Sequence, residues 1–411
     1  MKMKVVLLLS LLLLRVRRET AFTPTTKAAA RRYQSTQLLY KFGKDPGTTP
    51  ALSTITTSTT TAQPLVDVPL QMLKLPRFAL GQGPVTMPLQ IQGQGPFRFM
   101  VDTGMTRELI APQLQDMIQC SSDKTAGKHN NEPQGIAAGG VVTQAQPTVE
   151  IDGFTLSDGV HPDIPLPTLQ AMVGDFAQIR LDPQRPVAGM LGMDVLFQQF
   201  DVDMDFPAGR MRLWAPGTAA QQSKGMVEIP AVVLNESLLL GTRIRGKLAS
   251  SKNNGKEESM SQPCVGIIDT GSTFSTINWE AAKCMGLPPK TNKWKYNMLV
   301  SPPIVAAGMD NTSLKMPTKK IQFSYCGNTI ENKDTTIVGF ESPPEYWKPW
   351  VPVVAGVGDL PVFELLLGSE NKPFHGPAAI IGMDVLSQRR LIFEAAKNPS
   401  QRARRIFVSS Q

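Results

Sequence analysis

The sequence is short of the residues on which most hydrolytic and redox chemistry depends. Only three histidines occur in 411 residues, His129, His161 and His375, and no two of them stand at metal-ligand spacing. No Gly-x-Ser-x-Gly element accompanies them, which argues against a serine hydrolase. The four cysteines, Cys120, Cys264, Cys284 and Cys326, include no Cys-x-x-Cys pair, a pattern of scattered reduced thiols rather than a disulfide framework or a zinc site. The leading apolar run, residues 5–14, is too short to settle across a bilayer as a helix. From about residue 66 long helical periodicity is largely absent, apolar runs are short and turn signals are frequent. That pattern excludes a helical bundle and predicts an all-β body.

A charge of one sign is missing as well, once the charges are located. The 42 Lys/Arg exceed the 34 Asp/Glu by eight, but residues 1–45 alone hold ten bases against two acids. The remainder is balanced, so the body offers no footprint for nucleic acid. The basic leader has its own logic. Lys2 and Lys4 before the apolar run read as a signal peptide over residues 1–21, and Arg15, Arg17 and Arg18 follow it. Residues 22–65 are rich in Thr, Ala and Ser, poor in acids, and carry Arg31, Arg32, Lys41 and Lys44, a transit-like composition that ends in a Thr/Ser/Pro linker over 46–65. Signal, Ala21-Phe22 junction and transit-like stretch together resemble the bipartite plastid leaders of algae, which implies a plastid address. The alternative is a secretory signal followed by a disordered pro-segment.

What the chain does have, it has twice. An apolar run delivers Asp102-Thr103-Gly104, and a second apolar run delivers Asp269-Thr270-Gly271-Ser272. Each is followed by a glycine-tipped segment, Ala138-Gly139-Gly140 in the first half and Ala307-Gly308 in the second. Each half then carries Gly-Met-Asp-Val-Leu, at 192–196 and 382–386. Asp102 precedes Gly139 by 37 residues and Asp269 precedes Gly308 by 39. The chain therefore reads as two copies of one barrel-like lobe, 66–217 and 225–411, joined near 217–225.

Local signals fill in the lobes. Residues 84–91 and 97–101 read as strands joined by a tight turn at Gly93-Gln94-Gly95-Pro96, and 149–156 as a hairpin turning at Asp152-Gly153. Residues 200–214 read as a hairpin turning at 207–209, with closing strands at 391–394 and 405–408. Residues 279–285 read as a short helix with Asn278 as its N-cap and Gly286 just past its end. Asp194 and Asp384 read as structural, capping a short helix or bonding within a lobe. The glycines are not phosphate cradles, because none opens a helix in a βαβ unit.

One Asp-Thr-Gly per lobe in such a chain resembles the aspartic proteases, and in particular the retropepsin-like form with two lobes fused in one polypeptide. The resemblance covers roughly 80–217 and 225–409 and implies two tandem closed β-barrel lobes related by a pseudo-two-fold axis. It implies Asp102 and Asp269 as a catalytic dyad, with Thr103, Gly104, Thr270, Gly271 and Ser272 supporting them. It further implies that Ala138, Gly139, Gly140, Ala307 and Gly308 form flaps over an extended peptide or protein substrate. The physical reason for pairing the carboxyls is independent of the family. Two carboxyls brought together cannot both ionise cheaply and share a proton, so one can act as base and the other as acid. No metal or organic cofactor is required, no membrane span is expected after leader removal, and a monomer suffices, with a homodimer as a variant. The first copy departs from the family in Met105, where a small residue is usual, and the absence of Tyr from 132–146 argues against the pepsin subfamily. Two functions stay open: an aspartic endopeptidase, or a peptide-binding scaffold that kept the fold without turnover.

Overall fold

A computed structural model describes residues 63–411 apart from 106–107, 119–120, 123–134, 138–139, 143–147, 177–178, 180, 235–237, 250–262, 289–302, 308–312, 326–349, 369–372, 399–400 and 410–411. The expected signal and transit segments lie outside the described residues, and so do nearly all of the linker before residue 66 and most of the polar stretches at 121–134 and 249–262. All described residues fall within one compact unit, Thr60–Gln411.

The body is mostly β, in two lobes with a few short helices. The strand Val85–Ile91 shows why its sequence forms a sheet. Val85, Met87, Leu89 and Ile91 alternate onto one face and are all buried. It turns back through Gln92 and Gly93, whose φ angles of 53° and 74° are both left-handed, the pairing a tight hairpin requires. The turn thus falls one residue earlier than the sequence suggests, and the return strand already starts at Gln94.

In the second lobe six strands close into a ring: Leu240–Leu248, Cys264–Ile268, Ala378–Ile381, Thr276–Ile277, Val351–Val357 and Thr318–Tyr325. Thr318–Tyr325 completes it by pairing with both Val351–Val357 and Leu240–Leu248. The first lobe is a half barrel built on the same plan. Here the corresponding strand is broken at Asp152-Gly153 into Thr148–Ile151, which pairs with Leu169–Val173, and Phe154–Leu156, which pairs with Val85–Ile91. The expected hairpin over 149–156 is therefore corrected. Gly153 has φ +72° and does make a turn, but the two pieces go to different neighbours instead of to each other.

The lobes are not separate beads. Val66–Pro69, Arg210–Trp214 and Asp201–Asp205 from the first half join Arg390–Phe393, Ala403–Val408 and Val227–Val233 from the second in one continuous run of strands. The seam is Asp201–Asp205 against Arg390–Phe393, and the order on one side mirrors that on the other. At the seam Asp203, fully buried, receives two hydrogen bonds from the Arg390 guanidinium at 2.8 and 2.7 Å, and Trp214 Nε1 donates to it at 3.3 Å. Asp201 beside it accepts the amides of Ala219 and Ala395 at 2.6 and 2.8 Å. The hairpin 200–214 and the closing strands match their sequence reading, while the joining segment contains a short helix, Ala219–Gln222, that sequence did not suggest. Helix Trp279–Cys284 is capped as its sequence indicates. Asn278 Oδ1 accepts the Ala281 amide at 2.8 Å, and Gly286 follows with φ +84°.

Candidate active site

Each Asp-Thr-Gly is delivered by the same local arrangement. Strand Gln94–Val101 runs parallel to Gly189–Leu191, and the Asp102 amide donates to Leu191 O at 2.9 Å. Strand Cys264–Ile268 runs parallel to Ala378–Ile381, and the Asp269 amide donates to Ile381 O at 3.0 Å. The apolar stretch before each Gly-Met-Asp-Val-Leu is thus the strand that holds an Asp in place. Apolar runs are needed at these positions because the paired stretches, Phe99–Val101 with Gly189–Leu191 and Gly266–Ile268 with Ala379–Ile381, are buried.

The two turns meet across the lobes. Thr103 donates its hydroxyl to Ile268 O at 3.0 Å, and Thr270 donates its hydroxyl to Val101 O at 2.7 Å. Each hydroxyl also accepts the other threonine's amide at 3.0 Å. Both threonines are fully buried, so these four bonds lock the turns together where water cannot compete. Above them each carboxyl sits on the opposite glycine. A Cβ at Gly104 would overlap the Asp269 carboxyl, and one at Gly271 would overlap that of Asp102. Glycine is required here by close approach, not by backbone conformation.

The carboxyls are within hydrogen-bonding reach of each other. Burial, followed by the neighbouring Asp269 charge, holds Asp102 well above the usual carboxylate range, against the pull of the Gly104 and Gly271 amides. Burial raises Asp269 as well, but the amides of Gly271 and Ser272 and the bond from Asp102 oppose it. The turns differ in one donor. Asp269 Oδ1 accepts from Gly271 at 2.9 Å and from Ser272 at 3.0 Å, whereas Asp102 Oδ1 accepts from Gly104 at 2.8 Å and the Met105 amide goes to the Asp102 carbonyl at 3.4 Å. Ser272 supports its carboxyl through the amide only, since its hydroxyl donates to Phe274 O at 2.8 Å.

Met105 belongs to the core of the first lobe. It is buried with Leu73, Met100, Leu109 and Phe176 in a small apolar cluster of the first lobe, so its size is absorbed by the core and does not fill the cleft.

Both glycine-tipped segments lie on hairpins. Gly135–Ala137 pairs with Gly140–Val142, placing Gly140 at the start of the return strand, while Ala138 and Gly139 lie outside the described residues. This hairpin lies against the second lobe's helix Pro361–Leu367. Ile304–Ala307 pairs with Ser313–Met316, with Ala307 opposite Ser313 and Gly308 outside the described residues.

Three features of the site escaped the sequence reading. Gly81, at φ +90°, packs against the Thr273 carbonyl, which also accepts the Gln82 amide at 2.8 Å, so the segment before strand Val85–Ile91 crosses to the second Asp-Thr-Gly. The sixth residue after each Asp, Glu108 or Ser275, is buried against the Gly-Met-Asp-Val-Leu turn of its own lobe. Gly-Asp followed by an apolar residue recurs at 174–176 and 358–360, just after matching strands, and would have added a fourth landmark. Among the described residues no cluster of His, Cys, Asp and Glu could hold a metal ion, and no helix is long and apolar enough to cross a membrane.

Residues 87–195 match the aspartyl protease family. The matched range runs from the first long strand through Asp102 to the Gly-Met-Asp-Val-Leu turn. A comparison with curated proteins found no match. Among solved structures, the chain is similar to basic 7S globulin from soybean, with 10% identity over 84% of this chain and 95% of that one at a TM-score of 0.42. It is also similar to conglutin gamma, a basic 7S globulin from lupine seeds, with 11% identity over 85% of this chain and 96% of that one at a TM-score of 0.40.

Proposed function

We propose that the chain is an aspartic endopeptidase in which Asp102 and Asp269 share one proton and activate a water molecule. The observation that carries this reading is the mutual seating of the two carboxyls, each on the other lobe's glycine and held by the Thr103–Thr270 exchange. A scaffold that only bound peptide would have no need to hold two buried carboxyls in contact, an arrangement that burial and like charge both disfavour.

We assign the roles from the two local turns, in which Ser272 gives Asp269 an amide that Met105 does not give Asp102. Asp269, with two amide donors on one oxygen, carries the charge more readily and serves as base. Asp102 keeps the proton and serves as acid. Water attacks the peptide carbonyl carbon while Asp269 takes its proton and Asp102 protonates the carbonyl oxygen. Collapse of the resulting diol breaks the C–N bond. The amine leaves with the proton held by Asp269, and one diol hydroxyl returns its proton to Asp102. The first-lobe hairpin rests on helix Pro361–Leu367, and we propose that it serves as a flap, with an extended peptide beneath it in strand-like backbone pairing. We further propose that the leader directs the chain to a plastid.

Binding of a peptide whose scissile carbonyl is replaced by a secondary alcohol tests the reading. The chain should bind it at least a hundredfold more tightly than the parent peptide, roughly the lower end for transition-state mimics. Asp102→Asn should lose that preference. Equal affinity for both peptides would contradict an enzyme.

A further inference from the structure

The two lobes solve one local problem with different chemistry. In the second lobe Ser275 accepts the Gly382 amide at 3.0 Å and donates its hydroxyl to Asp384 Oδ1 at 2.6 Å. This ties the strand after Asp269 to the turn whose preceding residue, Ile381, holds the Asp269 amide. Six residues after Asp102 the first lobe has Glu108 instead. Glu108 is 4% exposed, its carboxyl accepts the Gly192 amide, and it reaches the Asp194 carboxyl. The connectivity is that of the second lobe, with a carboxyl where the hydroxyl stood.

That replacement creates a deficit of one donor. A hydroxyl can accept from the glycine amide and donate to the aspartate, but an ionised glutamate can only accept. Glu108 Oε1 and Asp194 Oδ1 are both buried, both lie beside Gly192, and neither has a hydrogen-bond donor among the described residues. Among the described residues, the elements adjoining this pair bring no compensating charge. The adjoining strands Leu169–Val173 and Gly189–Leu191 contain no ionisable residue, and helix Met193–Leu196 contributes Asp194 alone. The nearby Asp102 carboxyl is engaged with Asp269. A proton between the two carboxyls satisfies both oxygens at once.

We infer that Glu108 is a positioning residue of the first lobe, a neutral acid that donates a hydrogen bond to Asp194 and so holds the Gly192 turn behind Asp102 as Ser275 does behind Asp269. Its route to the dyad is short, because the residue before Gly192, Leu191, accepts the Asp102 amide. Burial and then Asp194 push the Glu108 carboxyl from 4.5 up to about 9, in keeping with a retained proton. The folded chain holds this proton while the unfolded chain releases it near pH 4.5. The stability it confers is therefore complete below that pH and is lost as pH rises toward about 9.

The test uses the full chain with Glu108→Gln, Glu108→Ser and Glu108→Ala, and two readouts. Urea unfolding between pH 5 and pH 9 requires no activity. The wild-type unfolding equilibrium constant should rise by up to about tenfold per pH unit relative to Glu108→Gln, whose amide donates to Asp194 without titrating. Superimposable pH–stability curves for these two proteins would overturn the inference. The second readout, peptide cleavage, rests on the dyad reading. Glu108→Ala should lower kcat by roughly tenfold or more with KM little changed, on the order of what a small misplacement of a reacting group costs, and Glu108→Ser should restore it. Equal kcat in all three variants at pH 5 would remove the link to Asp102. If the wild type cleaves nothing, the dyad reading fails, and the unfolding curves alone still decide the role of Glu108.

Discussion

Thr103 and Thr270 hold each other across the lobe boundary: each hydroxyl accepts the other's amide and donates to the carbonyl two residues before the other. Replacing either by valine keeps the shape and strands a buried amide and a buried carbonyl. Each orphaned group costs about 1–3 kcal/mol, so Thr103→Val and Thr270→Val should each lower unfolding free energy by several kcal/mol. Urea denaturation measures this, and a change under about 1 kcal/mol would mean that the lobes are aligned by other contacts.

Met105 separates packing from chemistry. Truncation in its apolar cluster should cost about 2–5 kcal/mol, the range for emptying a buried long side chain. Because the side chain faces the core, Met105→Ala should leave kcat within a few fold under conditions where the variant is folded. Loss of activity from a folded Met105→Ala protein would place the residue in the cleft.

At the seam, Asp203 and Arg390 bridge the lobes through a sheet rather than through the site. Asp203→Ala removes the carboxylate that accepts from the half-buried Arg390 guanidinium and the Trp214 indole, and removal of one partner of a buried pair costs about 3–5 kcal/mol. Differential scanning calorimetry should show a lowered Tm. An unchanged Tm would show that the seam rests on its backbone pairing alone.

The dyad's pH dependence has a definite sign. Burial raises both carboxyls, so the shared proton is retained above the ordinary aspartate range and activity falls as pH rises through the raised value. A pH–rate profile should place the alkaline limb of kcat/KM well above about pH 4, where an isolated aspartate ionises. A limb at or below that value would mean that the pair is solvated and uncoupled.

The sequence was most informative where structure is local. The twin Asp-Thr-Gly turns, the apolar runs that lead into them and the Asn278 cap are each written in residues a few positions apart. The break at Asp152-Gly153 looks like a hairpin in sequence because turn chemistry is local, whereas the partner of each emerging strand is set by the barrel. The seam between Asp201–Asp205 and Arg390–Phe393 pairs residues almost two hundred positions apart, and no periodicity announces it. Glu108 carries no signal of its own in the sequence, because an acid near the start of a strand is ordinarily exposed. Only the second lobe's Ser275, at the same offset, reveals what that position does.

The central claim is that one carboxyl from each lobe does the chemistry, and cleavage of a peptide library by the full chain between pH 4 and pH 8 tests it most directly, with Asp102→Asn and Asp269→Asn alongside. The account predicts cleavage by the wild type and loss of at least about a thousandfold in each folded variant, consistent with removal of an acid or base from a coupled pair. A folded wild type that cuts nothing, or an Asp269→Asn protein that cuts as well as the wild type, would contradict it.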